Sequence, residues 1–369
     1  MIPLWKPSIG KEESELIQSV LNLGYLGHGS YSDKFEVICS RILNINRENL
    51  LACSTGHAGL HLILNSLFSE ESLIATPTFN NIADFQAILN NNCIPLLLDS
   101  CDSNSPYISP ETLSECIKEN KIDAFIALDY ASNFCPLEEY YSICNKHGVK
   151  LIYDAAHSFG SINEKRLNFC DAAMFSFDPV KTFTSIDGGA IVVNTKKEML
   201  KLHEMRLMGM SQKANIMYKN QRAWFYDVKN VGYRYHLANL HAAIGVEQLK
   251  KIKKIKKSRI ASFKRYNQRL QNIDNIITPC YHVDTIPFHY CLRIKNNKRF
   301  EMINYLRSKK VDTGIHWQPN HTFTLFKKNK SGDLSVTNKI KKEILTLPLH
   351  SMMSNKDVDY ITSKIKNFF

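Results

Sequence analysis

The chain has 369 residues, of which 44% are hydrophobic and 22% are charged, a balance that is ordinary for a globular protein with a sizeable core. No apolar run approaches the ~20 residues of a membrane-spanning helix, and the N-terminus lacks the basic and apolar segments of a signal peptide. We therefore expect a cytoplasmic protein that does not bind or cross a membrane, although a net charge of +12 raises the question of nucleic acid.

A large part of the excess positive charge lies in one lysine-rich segment, residues 250–259. Isoleucines recur there at helical spacing with lysines between them, which predicts the solvated face of a helix. No nucleic-acid-binding module or aromatic platform accompanies the segment, so we predict no nucleic-acid partner. The ten cysteines contain no CxxC pair, which argues against a zinc ribbon and predicts reduced, mostly buried thiols without a metal.

Helices and strands alternate through the first half of the chain. Turn residues and apolar periodicity predict helices at 12–23, 33–43, 60–64, 82–89, 110–119, 138–146 and 195–207. Short apolar runs predict strands at 50–53, 73–77, 94–99, 124–130, 151–153 and 190–193. This alternation predicts an α/β fold with a mostly parallel sheet covered by helices, and ligands at the carboxyl ends of its strands.

The last third of the chain has a different pattern. A helix from 242 runs through the lysine-rich segment to about 269, and a second unit begins near 276. We predict strands at 288–294 and 311–317 and helices at 300–309, 336–345 and 354–369. The economical division is a large domain, 1–248, and a linker helix with a small C-terminal α+β domain, 249–369.

One lysine lies between two predicted strand ends. Asp154 closes the strand at 151–153, Ser176 precedes Lys181 by five residues, and Gly188–Gly189 follows. This order suits pyridoxal phosphate chemistry: the Asp154 carboxylate keeps the pyridine nitrogen protonated, Lys181 forms the Schiff base, Ser176 binds the phosphate and His157 reaches the ring hydroxyl. Singly, Asp154 would be a helix cap and Lys181 a solvated loop residue, but their order and spacing favour the functional interpretation.

A loop of small residues precedes the helix at 60–64. Helix N-terminal amides lack intrahelical partners and bind phosphate, so the loop at 54–59 is a candidate phosphate site.

The segments DAAHSFG, FSFDPVK, TSIDGGAIVV and GYRYHLANLHAAIG resemble the DegT/DnrJ/StrS-type sugar aminotransferases, which are fold-type I pyridoxal phosphate enzymes. Matching segments run from 2–4 to 347–350. The resemblance implies transfer of the amino group of glutamate to C4 of a nucleotide-linked, dTDP-type 4-keto-6-deoxyhexose, which yields an amino sugar for surface polysaccharide such as the O-antigen of lipopolysaccharide. Amination at C3 is the alternative within the family.

The resemblance also implies site residues. Thr55, Gly56 and His57 fall on the positions that cup the phosphate, with His57 in place of a hydroxyl residue. Arg234 falls where relatives contact the cofactor phosphate of a neighbouring subunit, which implies a homodimer with shared active sites. His321 matches a histidine that borders the substrate site.

Position 81 departs from the family pattern, because Asn81 stands where relatives have an aromatic ring that stacks on the pyridine. Either Phe79 supplies the stack or the amide of Asn81 packs on the ring. Two other functions are conceivable: a non-enzymatic regulatory protein of the same fold, and a sugar dehydratase. Lys181 argues against the second, which typically has a histidine there.

Overall fold

The computed structural model describes residues 1–101, 106–211, 226–280, 282–283 and 285–369. Helices in these ranges follow the predicted alternation closely. They are α1 (Lys11–Asn22), α2 (Ser30–Leu43), α3 (Gly56–Leu67), α4 (Ile82–Asn90), α5 (Pro110–Asn120), α6 (Leu137–Lys146), α7 (Glu164–Leu167), α8 (Lys196–Arg206), α9 (Asn239–Lys250), α10 (Ile252–Leu270), α11 (Arg299–Ser308), α12 (Ser335–Glu343) and α13 (Asn355–Phe368).

The strands form two sheets. They are β1 (Leu50–Cys53), β2 (Leu73–Pro77), β3 (Ile94–Leu98), β4 (Ala124–Leu128), β5 (Lys150–Asp154), β6 (Ala172–Ser176), β7 (Gly189–Val193), β8 (Ile276–Ile277), β9 (Tyr290–Ile294) and β10 (Ile344–Leu347). The large sheet has the order β1-β7-β6-β5-β4-β2-β3, and only β7 runs antiparallel to its neighbours. The predicted mostly parallel sheet is therefore confirmed.

Helices cover both faces of the large sheet, and side-chain alternation along the strands assigns residues to each face. In β1, Leu50 and Ala52 belong to the core on the face that α2, α5, α6 and α9 cover, whereas Leu51 and Cys53 belong to the core on the face that α3, α4 and α8 cover. The carboxyl ends of β5 and β6 and the start of α3 consequently meet at one edge of the sheet.

The small sheet has the order β10-β9-β8 and is antiparallel throughout. Its strands share a core with α10, α11 and α13, built around Tyr266, Tyr290 and Leu347. The helix predicted from 242 to 269 is present but is divided at Lys251 into α9 and α10. The division into domains 1–248 and 249–369 stays a prediction.

The predicted strand at 311–317 is wrong. Val311 pairs only with Ile2, and Gly314 pairs only with Thr346, so the segment has two isolated bridges to different partners instead of one continuous neighbour. The strand β10 begins at Ile344, so it replaces the last two residues of the helix predicted at 336–345. No helix or strand is predicted at 209–228, and residues 212–225 of that segment lie outside the described residues.

The expectations for the cysteines and for the lysine-rich segment can be compared with the structure. All ten cysteines are free thiols and eight are buried, as predicted. Lys253, Lys254 and Lys257 are exposed on α10 while Ile255 is buried, which confirms a solvated helix face. None of the helices in the described part of the chain is long and apolar enough to cross a membrane.

Candidate active site

The N-terminus of α3 is held close to the large sheet by two glycines. A Cβ atom at Gly189 would lie 2.4 Å from the carbonyl oxygen of Thr55, and one at Gly56 would lie 2.8 Å from Cβ of Ser176. Thr55 caps the helix, because its Oγ1 accepts a hydrogen bond from the amide of Ala58 at 2.9 Å. The first-turn amides therefore lie beside the Ser176 hydroxyl, which is the donor set that a phosphate group needs.

Asp154 ends β5 and is only 3% exposed. Its Oδ1 accepts a hydrogen bond from the amide of Ala156 at 2.9 Å. Burial raises the pKa of Asp154 to about 6, whereas that amide and the cation of Lys181 oppose the rise. The carboxyl group is thus poised to be charged when a cation or a protonated nitrogen lies against it.

Lys181 is presented by a turn after β6. The Asp178 carboxylate accepts the amide of Val180 at 3.0 Å, and the Asp178 carbonyl accepts the amide of Lys181 at 3.0 Å. The Nζ atom lies 5.0 Å from the ring centroid of Phe288. Burial lowers the pKa of Lys181, although Asp154 counteracts it, so the neutral, nucleophilic amine is more accessible than in a solvated lysine.

His157 is a buried, neutral imidazole. Its Nδ1 accepts a hydrogen bond from the amide of Ala131 at 3.3 Å, so Nε2 carries the proton. The ring of Phe288 stacks on it, with centroids 4.4 Å apart. Burial lowers the pKa of His157 well below its usual value, and Lys181 lowers it further. The side chain is therefore a fixed hydrogen-bond donor.

Seven of the nine predicted site residues line one cavity of about 440 Å³. They are Thr55, Gly56, His57, Asp154, His157, Ser176 and Lys181. His57 is half-buried, its buried Nε2 has no partner among the described residues, and burial lowers its pKa. The residues fit pyridoxal phosphate: an amine, a buried acid, an imidazole donor and a helix N-terminus share one space.

Part of the cavity wall is aromatic, and its residues were not predicted as site residues. Trp5, His289, His316 and Trp317 line it, and His289 stacks on His316 with centroids 4.3 Å apart. Nε1 of Trp5, Nε1 of Trp317 and Nε2 of His289 are buried and have no hydrogen-bond partner within the described ranges. His316 and Trp317 are adjacent in the sequence, whereas Trp5 and His289 come from distant parts of the chain, so no single motif marks this wall.

Two predicted residues lie outside the cavity. Arg234 is exposed, whereas its neighbours Tyr233 and Tyr235 face inward, with centroids 4.8 and 5.8 Å from that of His61. His321 is held by its neighbours: its Nδ1 lies 3.0 Å from Oγ1 of Thr78 and its Nε2 lies 3.1 Å from Oδ1 of Asn338. Their assignments to the cofactor phosphate and the substrate stay predictions.

The two candidates for the pyridine stack are separated by the structure. Phe79 is fully buried against Tyr130, with ring centroids 5.4 Å apart, and does not line the cavity. Asn81 does line it, while its Oδ1 caps α4 by accepting the amide of Ala83 at 2.9 Å. Of the two candidates, Asn81 is the one that lines the cavity, and the group that stacks on the pyridine stays a prediction.

Comparisons with known proteins agree with this geometry. Residues 7–366 match the DegT/DnrJ/EryC1/StrS aminotransferase family. The spore coat polysaccharide biosynthesis protein SpsC of Bacillus subtilis is 27% identical over 99% of this chain and 96% of its own length. Two solved structures superpose with a TM-score of 0.90. The aminotransferase TlmJ of Streptoalloteichus hindustanus is 22% identical over 100% of this chain and 98% of its own. PseC of Helicobacter pylori, an aminotransferase of pseudoaminic acid biosynthesis, is 21% identical over 100% and 99%.

Proposed function

Because the chain belongs to the DegT/DnrJ/EryC1/StrS aminotransferase family, we propose that it transfers the amino group of glutamate to C4 of a nucleotide-linked 4-keto-6-deoxyhexose, with dTDP as the nucleotide. The product is an amino sugar for surface polysaccharide. Members of the family depend on pyridoxal phosphate. When bound, that cofactor supplies the electron sink that permits proton removal from the carbon bearing nitrogen.

The observation that carries this proposal is the convergence of Lys181 and Asp154 on one cavity that also holds the N-terminus of α3. In our account, Thr55, Gly56, His57 and Ser176 hold the phosphate through amides and a hydroxyl. The Asp154 carboxylate holds the proton on the pyridine nitrogen. A regulatory protein without catalysis would have no use for this pairing of acid and amine.

Lys181 has two roles in the proposal. With the cofactor bound, its amine would hold the cofactor covalently and, once freed by the amino donor, would accept and return the proton at the reacting carbon. The lowered pKa of Lys181 favours the first role, because the neutral amine is the nucleophile. His157 donates from Nε2 toward the ring hydroxyl.

The aromatic wall supports a polyhydroxylated acceptor. A buried polar atom without a partner costs roughly 1–3 kcal/mol, and sites built to bind hydroxyl groups leave such atoms for the substrate to satisfy. Trp5, Trp317 and His289 each provide one. We assign this wall to the sugar, with the cofactor at the Lys181 side.

A homodimer with shared sites is part of the proposal. Arg234 is exposed, and so are apolar side chains on its own segment and on the segment that pairs with it: Val231 is 80% exposed and Met208 46%. The amide of Met208 donates to the carbonyl of Tyr233, which ties this surface to Arg234. An apolar surface around an exposed arginine suits contact with a second copy that offers a phosphate.

The test is amine transfer from ¹⁵N-labelled glutamate to a panel of 3-keto and 4-keto nucleotide sugars, followed by NMR of the product. Label on C4 of a 4-keto-6-deoxyhexose is the expected result, and the preferred nucleotide is read from the same panel. Label on C3 would support the alternative position. No label on any nucleotide sugar, with the cofactor bound, would overturn the sugar assignment.

A further inference from the structure

A second buried carboxyl group lies beside Asp154. Asp84 is the third residue of α4, is 1% exposed and lines the cavity. Its Oδ2 accepts a hydrogen bond from the side-chain amide of Asn80 at 2.5 Å. Its Oδ1 is buried and has no partner among the residues that the structure describes. The sequence analysis did not consider this residue, because a single acid in an apolar helix carries no motif.

Asp84 and Asp154 are both buried and line the same cavity, and the interaction between their carboxyl groups raises the pKa of Asp84 and lowers that of Asp154. Two carboxylates in a water-poor site repel each other strongly, and such a pair retains one proton. A hydrogen bond between the two groups requires that one of them is protonated, because two ionised carboxylates are both acceptors.

The surroundings decide which group is charged. Asp154 receives a hydrogen bond from the amide of Ala156, and it raises the pKa of Lys181 more than Asp84 does. Among the described residues, Asp84 receives the neutral side-chain amide of Asn80, and the titratable groups that act on it include Asp154 and Lys181. Burial raises the pKa of Asp84 well above its usual value, and the charge of Asp154 raises it further.

We propose that Asp84 is a positioning residue that carries a proton at neutral pH and donates it in a hydrogen bond to Asp154, so that the pair presents one oriented carboxylate to the pyridine nitrogen. The inference rests on the proposed role of Asp154. It assigns Asp84 one accepting oxygen, toward Asn80, and one donating oxygen, toward Asp154. An asparagine side chain has the same arrangement, because its oxygen accepts hydrogen bonds and its nitrogen donates them.

Infrared spectroscopy of the cofactor-free and cofactor-bound protein tests the protonation directly. The difference spectrum of wild type minus Asp84→Asn at pH 7.5 should contain the C=O stretching band of one protonated carboxyl group. The control Asp359→Asn should show loss of a carboxylate band only, because Arg265 and Arg269 hold the pKa of Asp359 low. A carboxylate band in place of a protonated one for Asp84→Asn would overturn the proposal.

Rescue by asparagine tests the positioning role. Asp84→Ala should weaken cofactor binding about tenfold, the effect of one lost hydrogen bond to a charged group, and Asp84→Asn should recover most of that loss. Equal weakening in both variants would overturn the proposal. If Asp84→Ala fails to fold by circular dichroism, the infrared result and the Asn variant decide the matter. Neither measurement involves a sugar, so failure here and failure of the proposed amination are distinguishable.

Discussion

Asp154 is buried, and the role that we propose for it requires charge. Removal from water favours the neutral carboxyl group, whereas the pyridine nitrogen requires a carboxylate. The amide of Ala156 and the cation of Lys181 shift the balance toward the charged form. Electrostatic preorganisation of this kind makes a single residue matter for rate far more than for folding.

Asp154→Asn should therefore leave the cofactor bound but reduce turnover ~100-fold or more, which corresponds to roughly 3 kcal/mol of barrier. The amide cannot stabilise a protonated pyridine nitrogen. Steady-state kinetics with absorbance of the bound cofactor checks this, and Asp171→Asn, which removes the partner of Lys150, is a control outside the cavity. A rate within about threefold of wild type would show that another group holds the nitrogen.

Trp317 tests the sugar side of the cavity. Trp317→Phe keeps an aromatic ring but removes the buried N–H, so KM for the nucleotide sugar should rise about tenfold while cofactor absorbance is unchanged. Tyr360→Phe, which removes a hydroxyl from the exposed surface of α13, provides the comparison. An unaltered KM in Trp317→Phe would remove the wall's assignment to the sugar.

At the scale of elements, the site depends on the fit of α3 against β7. Gly189 permits the approach, because any larger residue would meet the backbone of Thr55 and Gly56. Of the two glycines after Lys181, Gly189 is therefore the one at which the backbones of β7 and α3 approach closely.

Gly189→Ala should displace the N-terminus of α3, lower the free energy of unfolding by about 1–3 kcal/mol and weaken cofactor binding. Gly332→Ala is the matched control, since a Cβ atom there would have no heavy atom within 4 Å. Denaturant unfolding and cofactor titration measure the two effects. Full retention of both stability and affinity in Gly189→Ala would contradict the described packing.

The elements that the sequence predicted well are those with their own periodicity and boundaries. β1, for example, alternates between two cores, and α5 begins at the cap Ser109 and at Pro110. The strand predicted at 311–317 failed because its alternation was local, whereas a strand also needs a continuous neighbour, and Ile2 and Thr346 supply only isolated bridges.

The same distinction applies to the site. Asp154, Ser176 and Lys181 lie within 28 positions, so their common location at a sheet edge follows from the strand order. Asp84 and Trp5 enter the cavity through packing between distant segments. No periodicity or motif records such contacts, and these residues could be found only in the folded chain.

At the scale of the whole molecule, the orientation of Arg234 is the feature that points beyond one chain. Backbone hydrogen bonds fix its segment: the amide of Ser54 donates to the carbonyl of Tyr235 at 2.7 Å, and the amide of Met208 donates to that of Tyr233 at 3.0 Å. Alternation along this extended segment turns Arg234 outward when both tyrosines face inward. A C2 dimer would use the same surface to give and to receive the arginine.

Mixing Lys181→Ala with Arg234→Ala protein should therefore restore activity. Each homodimer is impaired, but a mixed dimer contains one site with both residues intact and one with both defects. Partial recovery of amine transfer after demonstrated subunit exchange is the expected result, and Arg234→Ala alone should retain the cofactor less firmly. Absence of recovery would place the action of Arg234 within its own chain or away from the cofactor.

The central claim is that Lys181 anchors the cofactor in this cavity. Borohydride reduction of the purified, cofactor-loaded protein, followed by proteolysis and mass spectrometry, tests it most directly because reduction makes the lysine–cofactor bond permanent. We predict that the added phosphopyridoxyl mass lies on Lys181. Its presence on a different lysine, or its absence from every peptide of a protein that has bound the cofactor, would contradict the account.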